Sequence, residues 1–218
     1  MSCSICGRRK EKRFCPAEHA RICPQCCGEQ REVTLDCPSE CTYLQQARQH
    51  EKPRSAQDID PAALFPHVEI ADQFVYQQEH LLTGLSFALA ARAQSDATLR
   101  DADLIAALSA MARSYETLVN SGLHYEVPVA GLHQQEIQAQ IQKMVQDYRA
   151  TEQKHMGYSR LRDADVLHAL VFLVRMGHRW TSGRPKSRAF IDFLVAQFPE
   201  RQSSLATADG AGSRIIAP

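Results

Sequence analysis

The sequence predicts a mainly α-helical protein, in which a small cysteine-rich finger precedes a duplicated helical hairpin that forms a bundle of four to five helices. Three observations lead to this prediction. All eight cysteines lie between Cys3 and Cys41. Beyond them, apolar residues recur every three or four positions, which is the period of an amphipathic helix. The segment 99–108 recurs as 161–170, with seven of ten positions identical.

Composition restricts the classes of function. The 218 residues carry 25 Lys and Arg against 25 Asp and Glu, so the formal net charge is zero. We therefore do not expect the whole surface to act on nucleic acid or on an anionic membrane. No apolar stretch follows the charged N-terminus, and none is long enough to span a membrane. We expect a cytoplasmic protein with no membrane partner.

The clustered cysteines indicate a metal site. Cysteines at this density serve either as disulfides in oxidising compartments or as zinc thiolates in reducing ones, and the expected compartment favours zinc. Cys3 and Cys6 form a CxxC knuckle, and Gly7 permits the tight turn that follows it. Eight thiolates suffice for two tetrahedral zinc sites. The predicted ligands are Cys3, Cys6, Cys15, Cys23, Cys26, Cys27, Cys37 and Cys41.

The order of these cysteines suits a cross-braced arrangement, in which alternate groups share an ion. Cys26 and Cys27 would serve different ions, because neighbouring side chains of extended backbone point in opposite directions. His19 is the alternative to Cys27, which would then be a free thiol. Four thiolates fill a zinc site, so we expect both ions to be structural. The predicted sites are Cys3, Cys6, Cys23 and Cys26, and Cys15, Cys27, Cys37 and Cys41.

The spacing of Cys3, Cys6, Cys15, Cys23 and Cys26, followed by Cys37 and Cys41, resembles the cross-braced zinc fingers of the B-box, MYND and HIT type. The resemblance covers residues 1–44. The whole chain is similar in outline to uncharacterised bacterial proteins that join a zinc finger to a helical domain. What the finger resemblance implies is docking of a protein partner more often than binding of nucleic acid, and no catalysis.

The first hairpin is predicted to span about 67–120. A short helix is expected to leave the finger, and residues 45–61, which are polar and contain Pro53 and Pro61, are predicted to be a linker. An apolar stripe then predicts a helix over about 67–93. A second helix is expected to begin at Asp101, as its N-cap, and to end near Asn120, with Gly122 as a left-handed C-cap.

The second hairpin, at about 129–182, repeats the first at an offset of 62 residues. Two hairpins can bury each other's apolar faces, so a four-helix core is the simplest solution. A short fifth helix follows Pro185 and ends before Pro199, which completes a predicted body of 62–199. The residues 200–218 are polar and rich in glycine, alanine and serine, and we expect them to be disordered.

The function predicted from these features is a non-enzymatic, zinc-binding module for protein–protein interaction. No phosphate loop, GxSxG, GxGxxG or HExxH motif occurs in the chain. The alternative is a nucleic-acid-binding regulator that uses basic patches beside Trp180 and at residues 8–13. A third possibility is a redox sensor, because thiolates are the oxidisable form of cysteine. The patch beside Trp180 comprises Arg175, Arg179, Arg184, Lys186 and Arg188.

Overall fold

A computed structural model describes residues 1–52 and 54–199, so the predicted disordered tail at 200–218 lies outside the described residues. The protein is mainly α-helical, as predicted. None of the helices in the described ranges is both long and apolar enough to cross a membrane. The elements are β1 (Arg13–Cys15), β2 (Ala20–Ile22), α1 (Pro24–Gln30), α2 (Thr42–His50), α3 (Phe74–Gln77), α4 (Glu79–Ser95), α5 (Asp101–Ser121), α6 (Leu132–Met156), α7 (Asp163–Trp180) and α8 (Ala189–Ala196).

The cysteine-rich region is built from a short hairpin and one helix. β1 and β2 are antiparallel, with Arg13 opposite Ile22. α1 follows directly, and Cys23 is its N-cap. Cys26 and Cys27 both lie within α1, so the expectation of extended backbone at this pair is wrong. Consecutive helical residues differ in direction by about 100°, which separates the two side chains without extended backbone.

The segment between this region and the bundle contains the expected short helix, and the predicted linker carries further structure. α2 continues to His50, and short 3₁₀ helices occupy Ala56–Asp58 and Pro61–Leu64. The first long helix, α4, starts later than the predicted residue 67. Arg175 of α7 donates hydrogen bonds to the carbonyls of Leu64 and Phe65, and Phe65 has a left-handed backbone with φ 50°. The Phe65 carbonyl also accepts from the Val68 N–H at 3.0 Å, so this segment forms a turn that is fastened to α7 and not the start of a long helix.

The bundle forms around α5 and α7, which make the most extensive contact between helices in the described residues. α6 contacts α4 and α5, and α8 contacts α4 and α7. The close approach of the central pair requires a glycine in α7. A Cβ atom added to Gly177 would lie 2.8 Å from Cγ1 of Ile105 in α5, which is too short for any larger residue without movement.

The two central helices begin alike. Arg100 is the N-cap of α5, and its backbone N–H donates to the Asp103 carboxylate at 3.2 Å. Arg162 and Asp165 form the same arrangement at the start of α7, at 3.1 Å. Asp101 is therefore the first helical residue and not the predicted N-cap. The outer helices are less alike, because α4 has 17 residues and α6 has 25.

Candidate metal centre and its contacts with the helical body

Four cysteines from two parts of the chain come together at the N-terminus. Their sulfur atoms all lie within 4.8 Å of one another, and this is the one such group of His, Cys, Asp or Glu ligand atoms in residues 1–52 and 54–199. Such a group could hold a metal ion. The four are the members of the first predicted site, Cys3, Cys6, Cys23 and Cys26.

Backbone geometry positions these sulfurs. The knuckle closes through a hydrogen bond from the Gly7 N–H to the Cys3 carbonyl at 2.8 Å, and Gly7 has the positive φ of 63° that this turn needs. The Cys23 N–H donates to the Cys3 sulfur at 3.2 Å. The Cys26 N–H donates to the Cys23 sulfur at 3.4 Å, in the first turn of α1.

These surroundings shift the pKa values of Cys3 and Cys26 in opposite directions. Burial raises the pKa of Cys3, but hydrogen bonds from the backbone N–H groups of Cys6, Cys23 and Ile5 outweigh burial and lower it to about 6. Burial and the adjacent sulfurs raise the pKa of Cys26 to about 12. One thiolate therefore forms readily, whereas four together need a cation to balance their charge. A divalent metal ion with four thiolate ligands meets that need.

The sulfur atoms of the other four cysteines do not approach one another as closely as those of the first four, although all four residues line the same hollow. Cys15, Cys27, Cys37 and Cys41 line one small hollow, together with apolar residues such as Ile22, Leu35 and Leu44. Burial raises the pKa of Cys37, a backbone hydrogen bond from Glu32 lowers it, and the charges of Cys15 and Cys41 raise it again. His19, the alternative ligand, is exposed in the β1–β2 turn and does not line this hollow.

The loop that follows α1 is anchored to the helical body through Glu32. This residue is 1% exposed and has a left-handed backbone with φ 56°. Its carboxylate accepts hydrogen bonds from Arg48 at 2.8 Å and from the Ser182 hydroxyl at 3.0 Å. Its carbonyl accepts from the Lys186 N–H at 2.8 Å. Sequence reasoning missed Glu32, because nothing local marks a glutamate that is to be buried.

Most of the cationic side chains in the predicted basic patch at 175–188 donate hydrogen bonds to groups within the protein. Arg184 donates to the Arg31 carbonyl at 2.7 Å, and Lys186 donates to the Thr34 carbonyl at 2.6 Å. Arg188 donates to carbonyls at the C-terminal end of α4, including that of Ala93 at 3.1 Å. With Arg175, four of the five cations thus bind backbone carbonyls. Arg179 is the exposed exception.

Comparison of the chain with protein-family models, with curated proteins and with solved structures returned no match. The class of this protein is therefore defined by its fold and by its cysteine cluster. It is a mainly helical protein whose N-terminal region carries a four-thiol cluster able to hold a metal ion.

Proposed function

We propose that the protein is a non-enzymatic, zinc-binding module for protein–protein interaction. The observation that carries this proposal is the mutual closeness of four sulfurs, all within 4.8 Å. Four thiolates complete the tetrahedral coordination of zinc and leave no position for a substrate. An ion held in this way stabilises a surface for docking and does not perform chemistry on a bound molecule.

A second zinc ion completes this proposal. Cys15, Cys27, Cys37 and Cys41 line the same hollow, which supports their assignment to one ion. Residues 1–44 would then be a cross-braced finger similar to those of the B-box, MYND and HIT type. The body would be a duplicated hairpin, which is supported by the matching caps of α5 and α7 at an offset of 62 residues.

The finger offers apolar side chains for a protein partner. Phe14, in β1, is 53% exposed, and Val33, in the loop after α1, is 39% exposed. Exposed apolar and aromatic residues on a small rigid element are typical of protein contact sites. Zinc would fix the backbone that presents them, so binding should depend on the metal more than on ionic strength.

The test is a pull-down from source lysate at low and physiological salt, with and without chelator and nuclease. The baits are the full chain, a Phe14→Ser variant and a Tyr76→Ser control, which removes an exposed aromatic side chain from α3 instead. Support for the proposal is a defined protein partner that survives salt and nuclease, and that is lost with chelator and with Phe14→Ser. A partner retained by the chelated bait would contradict a zinc-dependent surface.

The nucleic-acid alternative predicts a different outcome of the same experiment. If nuclease abolished all capture, a nucleic-acid-binding regulator would replace the adaptor. The internal partners of Arg175, Arg184, Lys186 and Arg188 argue against a broad phosphate-binding face.

A further inference from the structure

A hollow of about 380 Å³ lies where α2 meets the C-terminal end of α7 and the first turns of α8. Its size falls within the range of small-molecule sites, roughly 300–1,000 Å³. It is separate from the cysteine clusters, and none of the eight cysteines lines it. The side chains that give it chemical character are Arg48, Lys52, Arg54, Arg179, Trp180 and Phe193.

The hollow carries an excess of positive charge. Four cationic side chains and two carboxylates line it, which leaves two positive charges in excess. Both carboxylates already have partners: Glu51 pairs with Arg31 at 3.4 Å, and Asp192 pairs with Arg48 at 2.5 Å. Among the residues that the structure describes, no side-chain hydrogen bond or ion pair engages Lys52 or Arg179. These two cations are available to an anion.

A third cation, Arg54, is held at the rim by the fold. Its backbone N–H donates to the Arg179 carbonyl at 3.3 Å, and its guanidinium donates to the Asp58 carbonyl at 2.8 Å. The charge of Arg54 also acts on α7, because burial and this charge both lower the pKa of His178. The backbone of Arg54 is therefore fixed beside that of Arg179 at the end of α7, and both residues line the hollow.

An aromatic platform adjoins these cations. The rings of Trp180 and Phe193 are stacked, with centroids 4.3 Å apart and planes inclined by 16°. Trp180 is nevertheless 41% exposed, so part of the indole remains open to a ligand. A planar ring placed on the indole would extend the stack. Aromatic rings beside cations are the combination that proteins use to hold a base and its phosphate.

We propose that this hollow binds a nucleotide, with the base stacked on Trp180 and the phosphate held by Lys52, Arg54 and Arg179. The nucleotide is either a free mononucleotide or a residue of a single-stranded nucleic acid, since both present the same base and phosphate. No zinc ligand contacts the nucleotide in this proposal, and the site is distinct from the proposed protein-docking surface, so each proposal can fail without the other.

The single tryptophan of the chain gives a direct assay. Fluorescence of the full-length protein is titrated at low salt with each of the four ribonucleoside 5′-monophosphates, with inorganic phosphate, and with a ten-residue oligouridylate. A stacked base is expected to quench Trp180. Quenching by the mononucleotides assigns a free nucleotide, and quenching by the oligonucleotide alone assigns single-stranded nucleic acid. The proposal is overturned if none of these nucleotides binds up to millimolar concentration, or if inorganic phosphate binds equally well.

Variants separate the two halves of the site. Trp180→Leu should weaken binding about tenfold by calorimetry, whereas Trp180→Phe keeps an aromatic face and should retain most of the affinity. Arg179→Gln should weaken binding and make the negative slope of log K against log salt for the oligonucleotide shallower by about 0.7. Arg113→Gln, which removes an exposed arginine from α5, is the matched control. Equal affinities for Arg179→Gln and Arg113→Gln would overturn the assignment of the phosphate.

A phosphotyrosine peptide is the competing ligand of similar chemistry, because it also joins an aromatic ring to a phosphate. Tighter binding of such a peptide than of every nucleotide would overturn the proposal in favour of a phosphoprotein partner. Thermal unfolding of each variant controls for folding. Lys52→Gln supplies a second test, since Lys52 is exposed and its side chain makes no hydrogen bond or ion pair within the described part of the chain.

Discussion

Ser187 and Asp101 are joined by two reciprocal hydrogen bonds. The Ser187 hydroxyl donates to the Asp101 carboxylate at 2.7 Å, and the Asp101 N–H donates to the Ser187 carbonyl at 2.9 Å. The same carboxylate accepts from the backbone N–H groups of Phe190 and Ile191, at 3.2 and 3.1 Å. The first residue of α5 therefore caps the start of α8, where a negative charge is favoured.

Asp101 and Asp163 are equivalent in sequence but should differ in their effect on stability. Asp101→Ala would leave the buried N–H groups of α8 without a partner, and we expect it to lower the free energy of unfolding by about 3 kcal/mol. Asp163 makes a partly exposed ion pair with Arg149 at 2.6 Å, so Asp163→Ala should cost less than about 1 kcal/mol. Urea unfolding of both variants measures the difference. Equal losses would show that the contact with α8 contributes little.

The metal content should be two zinc ions per chain. Elemental analysis and native mass spectrometry of protein purified without added metal measure this number. Cys26→Ser should remove the ion held by Cys3, Cys6 and Cys23, because three thiolates bind zinc less tightly than four. His19→Ala is the control and should keep both ions. A single zinc in the unmodified protein would show that Cys15, Cys27, Cys37 and Cys41 do not form a second site.

Removal of the metal should also destabilise the helical body, because Glu32 connects the finger to that body. We expect chelation to leave most of the helical circular dichroism at 25 °C but to lower its thermal midpoint by several degrees, since the loop after α1 is bonded to Arg48 and Ser182. Glu32→Ala should itself destabilise by about 2 kcal/mol, because Arg48 and the Ser182 hydroxyl lose a buried acceptor, while Arg48 keeps its ion pair with Asp192.

A thermodynamic cycle that combines chelation with the Glu32→Ala substitution tests this coupling. Chelation should shift the midpoint of Glu32→Ala less than that of the unmodified protein, because the connection has already been broken. Glu29→Ala, an exposed neighbour in α1, should respond like the unmodified protein. If all three proteins lose the same number of degrees, the finger and the body are energetically independent.

The Asp165 carboxylate, which accepts hydrogen bonds at the start of α7, should make the free energy of unfolding depend on pH in acidic solution. Burial raises the pKa of Asp165, but hydrogen bonds from the Arg162 guanidinium and backbone N–H outweigh it and hold the pKa below the ordinary 3.8. A depressed pKa stabilises the folded state above the ordinary value, and this contribution disappears as the pH falls through the folded pKa. The difference in unfolding free energy between the unmodified protein and Asp165→Asn should therefore be constant from pH 5 to 7 and shrink below about pH 4.

Urea unfolding at pH 6, 4 and 3 measures that difference. Because both proteins lose their thiolates together in acid, the loss of metal cancels in the comparison. A difference that stays constant down to pH 3 would contradict a charged cap.

Several features were predictable because their signals are local. Apolar residues at helical spacing predicted α5 within one residue of its observed end, and the polar residues that flank them marked its start. The spacing of the CxxC pairs predicted that both sulfurs of a knuckle lie on one side, and the order of the cysteine groups predicted that the knuckles at Cys3 and Cys23 come together. Gly122 adopts the left-handed conformation expected at the end of α5, with φ 72°.

Only the tertiary structure decided which partners the charged side chains have. Arg175 and Arg188 look like solvent-facing cations in the sequence, yet they bind backbone carbonyls about 90 to 110 residues away. Glu32 and Asp101 look like ordinary surface acids, yet each is 1% exposed and joins two distant segments. Backbone N–H and carbonyl groups occur at nearly every residue, so their use as partners leaves no pattern in the sequence. The packing of α5, α7 and α8 determines which of these groups a side chain meets, and that packing is a property of the folded chain as a whole.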